Sequence, residues 1–292
     1  MKVALSLSSG GSRGIAHIGV IEEIEAEGHE IVAISGASVG SSIAGFYAAG
    51  ILPEFKDWIT QIDKSDVFKL MDFAFTTKGL MKGERLFKEL EKTFGDHQIE
   101  DLNLPYTAVA VDIKKREEVW LTDGSLLKAI RASCSTPSVL TPVTIKNREL
   151  VDGGVLNPLP VEPLLTQEYD LLITSNVNGN FDYKPRRKAP KKLEETENAY
   201  ASKIDQFWKR WKEYLPKTKS VQQEEKLSMF GMINAAVELL EDRVIQLSIQ
   251  KHQPDVHIEM SRKSAGFFDF YRAEEMIEYG RACTRKALKE AS

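Results

Sequence analysis

Apolar residues fall in short blocks that alternate with amphipathic stretches through the first half of the chain. Lys2 to Leu7 reads as a strand, Gly14 to Glu27 as a helix, Ile31 to Ser35 as a second buried strand and Val39 to Ala49 as a second helix. Helices are predicted around Pro53 to Ile62 and Glu84 to Phe94, and strands over Tyr106 to Asp112 and Glu118 to Thr122. The turn residues Asp123-Gly124-Ser125 cap a helix from Leu126 to about Cys134. Short strands near Val143 to Ile145 and Glu149 to Val151 flank the turn Lys146-Asn147-Arg148, and Asp170 to Ser175 reads as another buried strand. A long helix over Leu227 to Ile249, a strand over Val256 to Met260 and a closing helix over Arg272 to Leu288 complete the pattern. Such alternation predicts an α/β fold, a three-layer sandwich whose central, mostly parallel sheet is covered by helices on both faces. With 292 residues the chain is long enough for one large domain over 1–292, and that is the expectation.

Ile31 to Pro53 carries no charge and approaches the length of a membrane span, but it holds four glycines and four serines. A buried strand, a turn and a buried helix ending near Gly50 and Pro53 describe it better. The apolar start of the chain breaks at Ser8-Ser9-Gly10-Gly11, too early for a signal peptide, so a cytoplasmic location is the default. A net charge of −4 gives no global reason to expect nucleic-acid binding, and two cysteines, Cys134 and Cys283, make neither a disulfide framework nor a metal cluster. One stretch departs from this balance. Between Tyr183 and Ser220 twelve Lys and Arg stand against five acids, and Phe207, Trp208, Trp211 and Tyr214 recur at helical spacing beside Lys209, Arg210 and Lys212. Two readings of this insertion stand: aromatics packed on the body of the domain, or an interfacial segment serving as a peripheral membrane contact or a lid.

The chemistry concentrates at three glycine-containing turns. Gly36-Ala37-Ser38-Val39-Gly40 is a G-x-S-x-G turn between a predicted strand and a predicted helix, which marks Ser38 as a candidate nucleophile. Upstream, Ser8-Ser9-Gly10-Gly11-Ser12-Arg13-Gly14 lies between the first strand and its helix. As a dinucleotide fingerprint that loop fails, because Ser9 occupies the first glycine position and the second strand ends in Ser35-Gly36 rather than an acid. Its backbone N–H groups suit an oxyanion hole better, with Arg13 either holding the loop or adding positive potential. A serine nucleophile needs a base. Five histidines are present; His252 and His257 could formally follow the Ser-acid-His order, whereas His17, His29 and His97 read as ordinary helix or loop residues. Asp152, followed by Gly153 and Gly154 at the end of a predicted strand, is either a turn former or a base aimed by the two glycines.

Together these residues resemble the patatin-like phospholipases. Gly10-Gly11-Ser12-Arg13-Gly14, the elbow Gly36 to Gly40 and Asp152-Gly153-Gly154 stand in the family order. Arg131-Ala132-Ser133-Cys134-Ser135-Thr136-Pro137 with Pro142 is similar to the family block before the aspartate, and Asn157-Pro158-Leu159-Pro160 to the stretch after it. The resemblance covers about residues 1–178 well and the end of the chain, around Phe268-Asp269-Phe270, more loosely. The sequence departs from the pattern at Ser9, where a glycine is frequent, at Ser135, where a small apolar residue is usual, and at Leu140, where an aromatic is common. The resemblance implies a lipid acyl hydrolase of the phospholipase or carboxylesterase kind, acting on acyl esters through a Ser38-Asp152 dyad. The N–H groups of Gly10 and Gly11 would form the oxyanion hole, and neither metal nor cofactor would take part. The alternative is a feebly active lipid-binding or regulatory protein of the same fold, its function carried by the basic aromatic insertion.

Overall fold

A computed structural model describes residues 1–76, 79–184 and 229–291, and the insertion read from the sequence at 183–220 lies outside them except for Tyr183 and Lys184. The chain enters through β1 (Lys2–Leu7), a 3-10 turn (Gly11–Ile15) and α1 (Ala16–Ala26), then β2 (Glu30–Ala37) and α2 (Val39–Ala48). Three helices, α3 (Leu52–Gln61), α4 (Lys64–Leu70) and α5 (Glu84–Phe94), surround two short strands, β3 (Phe73–Thr76) and β4 (Gly79–Met81). β5 (Tyr106–Asp112), β6 (Glu117–Leu121), α6 (Leu126–Ser133), β7 (Ser138–Leu140), β8 (Val143–Ile145) and β9 (Arg148–Asp152) follow. β10 (Leu171–Gly179), α7 (Met229–His252), β11 (Val256–Ser261) and α8 (Ala273–Ala291) close it.

The main sheet runs β11-β10-β1-β2-β5-β9-β8, with β6 also on β5. Pairing is parallel from β11 through β5 and antiparallel at β6, β9 and β8, the mixed outcome of βα crossovers followed by hairpins. Every residue of β5 and all but the first of β1 are buried, so both faces of the sheet are covered, as continuous apolar runs require. The turn between β8 and β9 places Lys146 and Asn147 at φ 48° and 62°, the left-handed pair that a two-residue hairpin demands. The uncharged stretch Ile31 to Pro53 holds most of β2, a turn, α2 and the first two residues of α3. No described helix is long and apolar enough to cross a membrane.

One edge of β5 is divided end to end. β2 pairs with Tyr106 to Val109, finishing at Ala37↔Val109, and β9 takes over with Ala110↔Asp152. β6 spans Ala108 to Asp112 on the other edge. The last residue of β2 and the last residue of β9 therefore sit opposite consecutive residues of one strand. That register brings Ser38 to Asp152.

Elements absent from the sequence reading are α4 and the small three-stranded sheet β3-β4-β7. These strands are three or four residues long, too short to establish a period. α4 owes its start to a capping box in which Asp63 and Asp66 bond each other's backbone N–H.

α1 and α8 pack backbone against backbone. A Cβ on Gly280 would lie 2.0 Å from the carbonyl oxygen of Ala16, and one on Gly19 would lie 1.9 Å from that of Ile277. The backbones touch there because neither residue has a side chain. Arg285 fixes the pair by bonding Glu23 at 2.7 Å through Nε and again through Nη2, and Arg281 bonds Glu22. Gly280→Ala must push the helices apart and should cost about 1–3 kcal/mol in urea unfolding. An unchanged midpoint would show that this crossing gives way freely.

Candidate active site

Ser38 sits between β2 and α2 at φ 53° and ψ −131°, a backbone conformation that side-chain-bearing residues rarely adopt. The turn is tight because glycines flank it. A Cβ on Gly36 would meet the carbonyl carbon of Gly40 at 2.4 Å, and one on Gly40 would meet the carbonyl oxygens of Leu7 and Ser8 at 2.5 Å. The Ser38 N–H donates to Ser133 Oγ at 2.9 Å, and Ser133 in turn donates to the Val109 carbonyl at 2.6 Å. The strained elbow is thereby tied to α6 and to β5.

Asp152, 5% exposed, receives the Ser38 hydroxyl on Oδ2 at 2.7 Å. Thr136 Oγ1 donates to the same oxygen at 2.7 Å, and the Gly154 N–H donates to Oδ1 at 2.8 Å. Burial pushes the carboxyl up from its ordinary range against the opposing pull of these three donors. Gly153 lets the turn pass β5, since a Cβ there would lie 2.2 Å from the Val109 carbonyl oxygen. A Cβ on Gly154 would stand 3.2 Å from both Asp152 Oδ1 and Ser9, so the aspartate turn abuts the glycine-rich loop.

In that loop Ser9 N–H donates to Pro158 O at 2.9 Å and Ser12 N–H to Phe267 O at 3.0 Å. Between them, the N–H groups of Gly10 and Gly11 donate to no described protein acceptor. Val177 and Phe267 pack where side chains at positions 10 and 11 would go, 2.2 and 2.8 Å from the absent Cβ atoms. A Cβ on Gly14 would lie 2.9 Å from Val39 Cγ1, placing the loop against the first residue of α2. Arg13 donates to Gly10 O, Arg262 O and Asn178 Oδ1, each at 3.1 Å. These bonds tie the glycine-rich loop to Asn178 and to the backbone of Arg262.

None of the histidines bonds Ser38 or Asp152. His17 lies buried between Ser8 O and Ser175 Oγ, 3.0 Å from each, and burial pulls it down to about 4, so it is neutral. His252 bonds Glu162 at 2.9 Å and His257 bonds Thr174 Oγ1 at 2.9 Å. His97 reaches the Phe94 carbonyl, and His29 Nδ1 is buried without a described partner. The nearby Cys134 thiol is pushed up to about 12 by burial and by Asp152, which keeps it protonated. Among the described residues no group of three or more His, Cys, Asp or Glu could hold a metal ion. Thr136, Ser133 and Asn178 were given no individual role by the sequence. Thr136 and Ser133 fall in the block before the aspartate, which was the available signal; Asn178 had none.

The chain matches the family model for patatin-like phospholipases over residues 5–165. An NTE family protein of Mycobacterium tuberculosis is 31% identical over 99% of this chain and 91% of its own length. The lysophospholipase nte1 of Aspergillus fumigatus is 30% identical over 72% of the chain, which spans 13% of that larger protein. Among solved structures, VipD from Legionella pneumophila aligns with a TM-score of 0.42 and 12% identity, covering 98% of this chain and 67% of its own.

Glu241 of α7 is pushed up to about 7, by burial first and then by the charge of Asp152, against the pull of Arg13 and Arg262. Its folded value lies above the unfolded one of about 4.3, so the folded state holds the extra proton between them. Stability from this group is therefore present at acid pH and lost as pH rises towards and through 7. Urea unfolding at pH 5 and pH 8 should show Glu241→Gln losing less stability over that interval than wild type. Equal losses would refute the assignment.

Proposed function

Because the chain belongs to the patatin-like phospholipase family, we propose that it is a serine lipid acyl hydrolase, of the phospholipase A or carboxylesterase type, with Ser38 as nucleophile and Asp152 as its base. The observation that carries this reading is the 2.7 Å bond from the Ser38 hydroxyl to a buried carboxylate at a strained strand-to-helix elbow. The lysophospholipase name of the nte1 relatives points to the same substrate class.

Ser38 Oγ attacks the ester carbonyl while its proton passes to Asp152 Oδ2. The carbonyl oxygen becomes an oxyanion and takes up the N–H groups of Gly10 and Gly11, each such donor being worth about 10²–10³ in rate. Collapse breaks the ester C–O bond, and the departing alkoxide leaves as alcohol with the proton from Asp152. Water then attacks the acyl-Ser38 ester, gives its proton to Asp152 and forms a second oxyanion in the same hole. Its collapse releases the fatty acid and returns the proton to Ser38. Asp152 serves as acid and base in turn, and its burial brings its basicity closer to what a hydroxyl proton requires. Thr136 keeps Oδ2 oriented while Ser38 moves.

Hydrolysis of a short p-nitrophenyl ester and of phospholipid vesicles, with chelator present throughout, tests the assignment. Ser38→Ala and Asp152→Asn should each lower kcat by about 10³-fold or more on both substrates. A fluorophosphonate should label wild type and leave Ser38→Ala unlabelled. Turnover surviving in Ser38→Ala would remove the nucleophile, and turnover surviving only in Asp152→Asn would require another base.

A further inference from the structure

We propose that Asn178, at the end of β10, is a positioning residue of this site: its side-chain amide, working with Arg13, sets the directions of the Gly10 and Gly11 N–H groups. The proposal rests on the hydrolase reading above. In a trans peptide the carbonyl and the N–H point in opposite directions, so fixing one aims the other. Asn178 Nδ2 donates to Ser9 O at 2.8 Å beside the Ser8 hydroxyl, which donates to it at 2.9 Å, and this turns the Gly10 N–H to the far side of that peptide. Arg13 Nε donates to Gly10 O at 3.1 Å and does the same for the Gly11 N–H. Asn178 Oδ1 accepts from Arg13 Nη2 at 3.1 Å, so one planar amide governs both peptides.

The Ser8 hydroxyl reaches Ser9 O alone, whereas a side chain with a donor and an acceptor on one rigid group ties that carbonyl to Arg13. Ser9 O can only accept and Arg13 can only donate, which fixes which end of the amide faces which partner. Asn178 is itself immobilised. It is 3% exposed, its N–H donates to Asn176 Oδ1 at 3.0 Å, and its carbonyl accepts from Arg262 Nε at 2.9 Å and Nη2 at 2.7 Å. Arg262 is held by Glu238 and Asp242 of α7, and its own carbonyl accepts from Arg13 at 3.1 Å. The need for such a frame follows from the glycines, whose peptides would otherwise flip and present a carbonyl oxygen to the oxyanion.

Asn178→Asp puts an oxygen against Ser9 O while retaining shape and the contact to Arg13. Its kcat should fall about 10- to 100-fold with KM within about twofold, because the donors matter only once the oxyanion forms. Affinity for a long-chain trifluoromethyl ketone, which acquires its oxyanion only on adding Ser38, should fall by the same factor as kcat/KM. Asn178→Ser, which loses both contacts, should behave alike and replaces the Asp variant if that one does not fold. An unmoved kcat in a folded variant overturns the proposal, as does failure of both variants to fold, which would assign Asn178 to stability alone. Wild-type hydrolysis that persists in Ser38→Ala overturns the assignment of Ser38 as nucleophile first, and this proposal with it.

Discussion

The shared edge of β5 is the constraint on which the site depends. β2 and β9 meet nearly end to end along it, so Ala37 lies opposite Val109 and Asp152 opposite Ala110. Two side chains 114 residues apart in sequence are thereby held in hydrogen-bond contact by backbone pairing, which flexes far less than a loop would. The Val109 carbonyl acts a second time, accepting from Ser133, which accepts in turn from the Ser38 N–H. Gly153 clears the same carbonyl on the other side. One peptide of a central strand thus fixes the elbow, the end of α6 and the aspartate turn.

A carboxylate taken out of water costs several kcal/mol unless donors replace its hydration. Asp152 has three: Ser38, Thr136 and the Gly154 N–H. They offset part of the penalty, and burial still prevails, leaving the carboxyl above its usual range. In the proposed mechanism that balance suits a base which accepts a proton from a hydroxyl and returns it. A fully solvated aspartate would be too weak a base, and one with more donors would be weaker still. The same low-dielectric surroundings disqualify His17 as a competitor, because burial holds it neutral and both its ring nitrogens are engaged.

Much of this was legible in the sequence where signals are local. The runs that became β1, β2, β5 and β10 are buried on both faces and read as apolar blocks, and glycines 36 and 40 announced a tight turn whose backbone contacts explain them. Asp152 stayed balanced between turn former and base, since Asp-Gly-Gly has the same composition in either role. Spatial pairing across β5 brings the aspartate to Ser38, and pairing of that range leaves no periodic trace. β3, β4 and β7 escaped because a strand of three or four residues lacks a period, and α4 because its capping box is built from aspartates rather than the usual Ser or Thr with Glu. Asn178 was invisible for a further reason: its neighbours Ser9 and Arg13 lie across a parallel strand pair, 169 and 165 residues away.

The two halves of the site obtain their rigidity by opposite means. Ser38 occupies a conformation that costs about 1–3 kcal/mol, and it stays there because the glycine contacts, Ser133 and the α2 N-terminus leave it no alternative. The glycine-rich loop has the contrary difficulty, since Gly11 at φ 58° is at ease there and would be equally at ease elsewhere. Strain at Ser38 must be over-determined, whereas freedom at the loop must be removed. Removing it with side chains at positions 10 and 11 is impossible, because Val177 and Phe267 already occupy that space. The restraint therefore has to come from outside the loop, and it acts on its carbonyls, because the Gly10 and Gly11 N–H groups donate to no described protein acceptor. Two carbonyls in succession are so restrained, Ser9 O by the Asn178 amide from β10 beside the Ser8 hydroxyl, and Gly10 O by the Arg13 guanidinium from the first turn after β1.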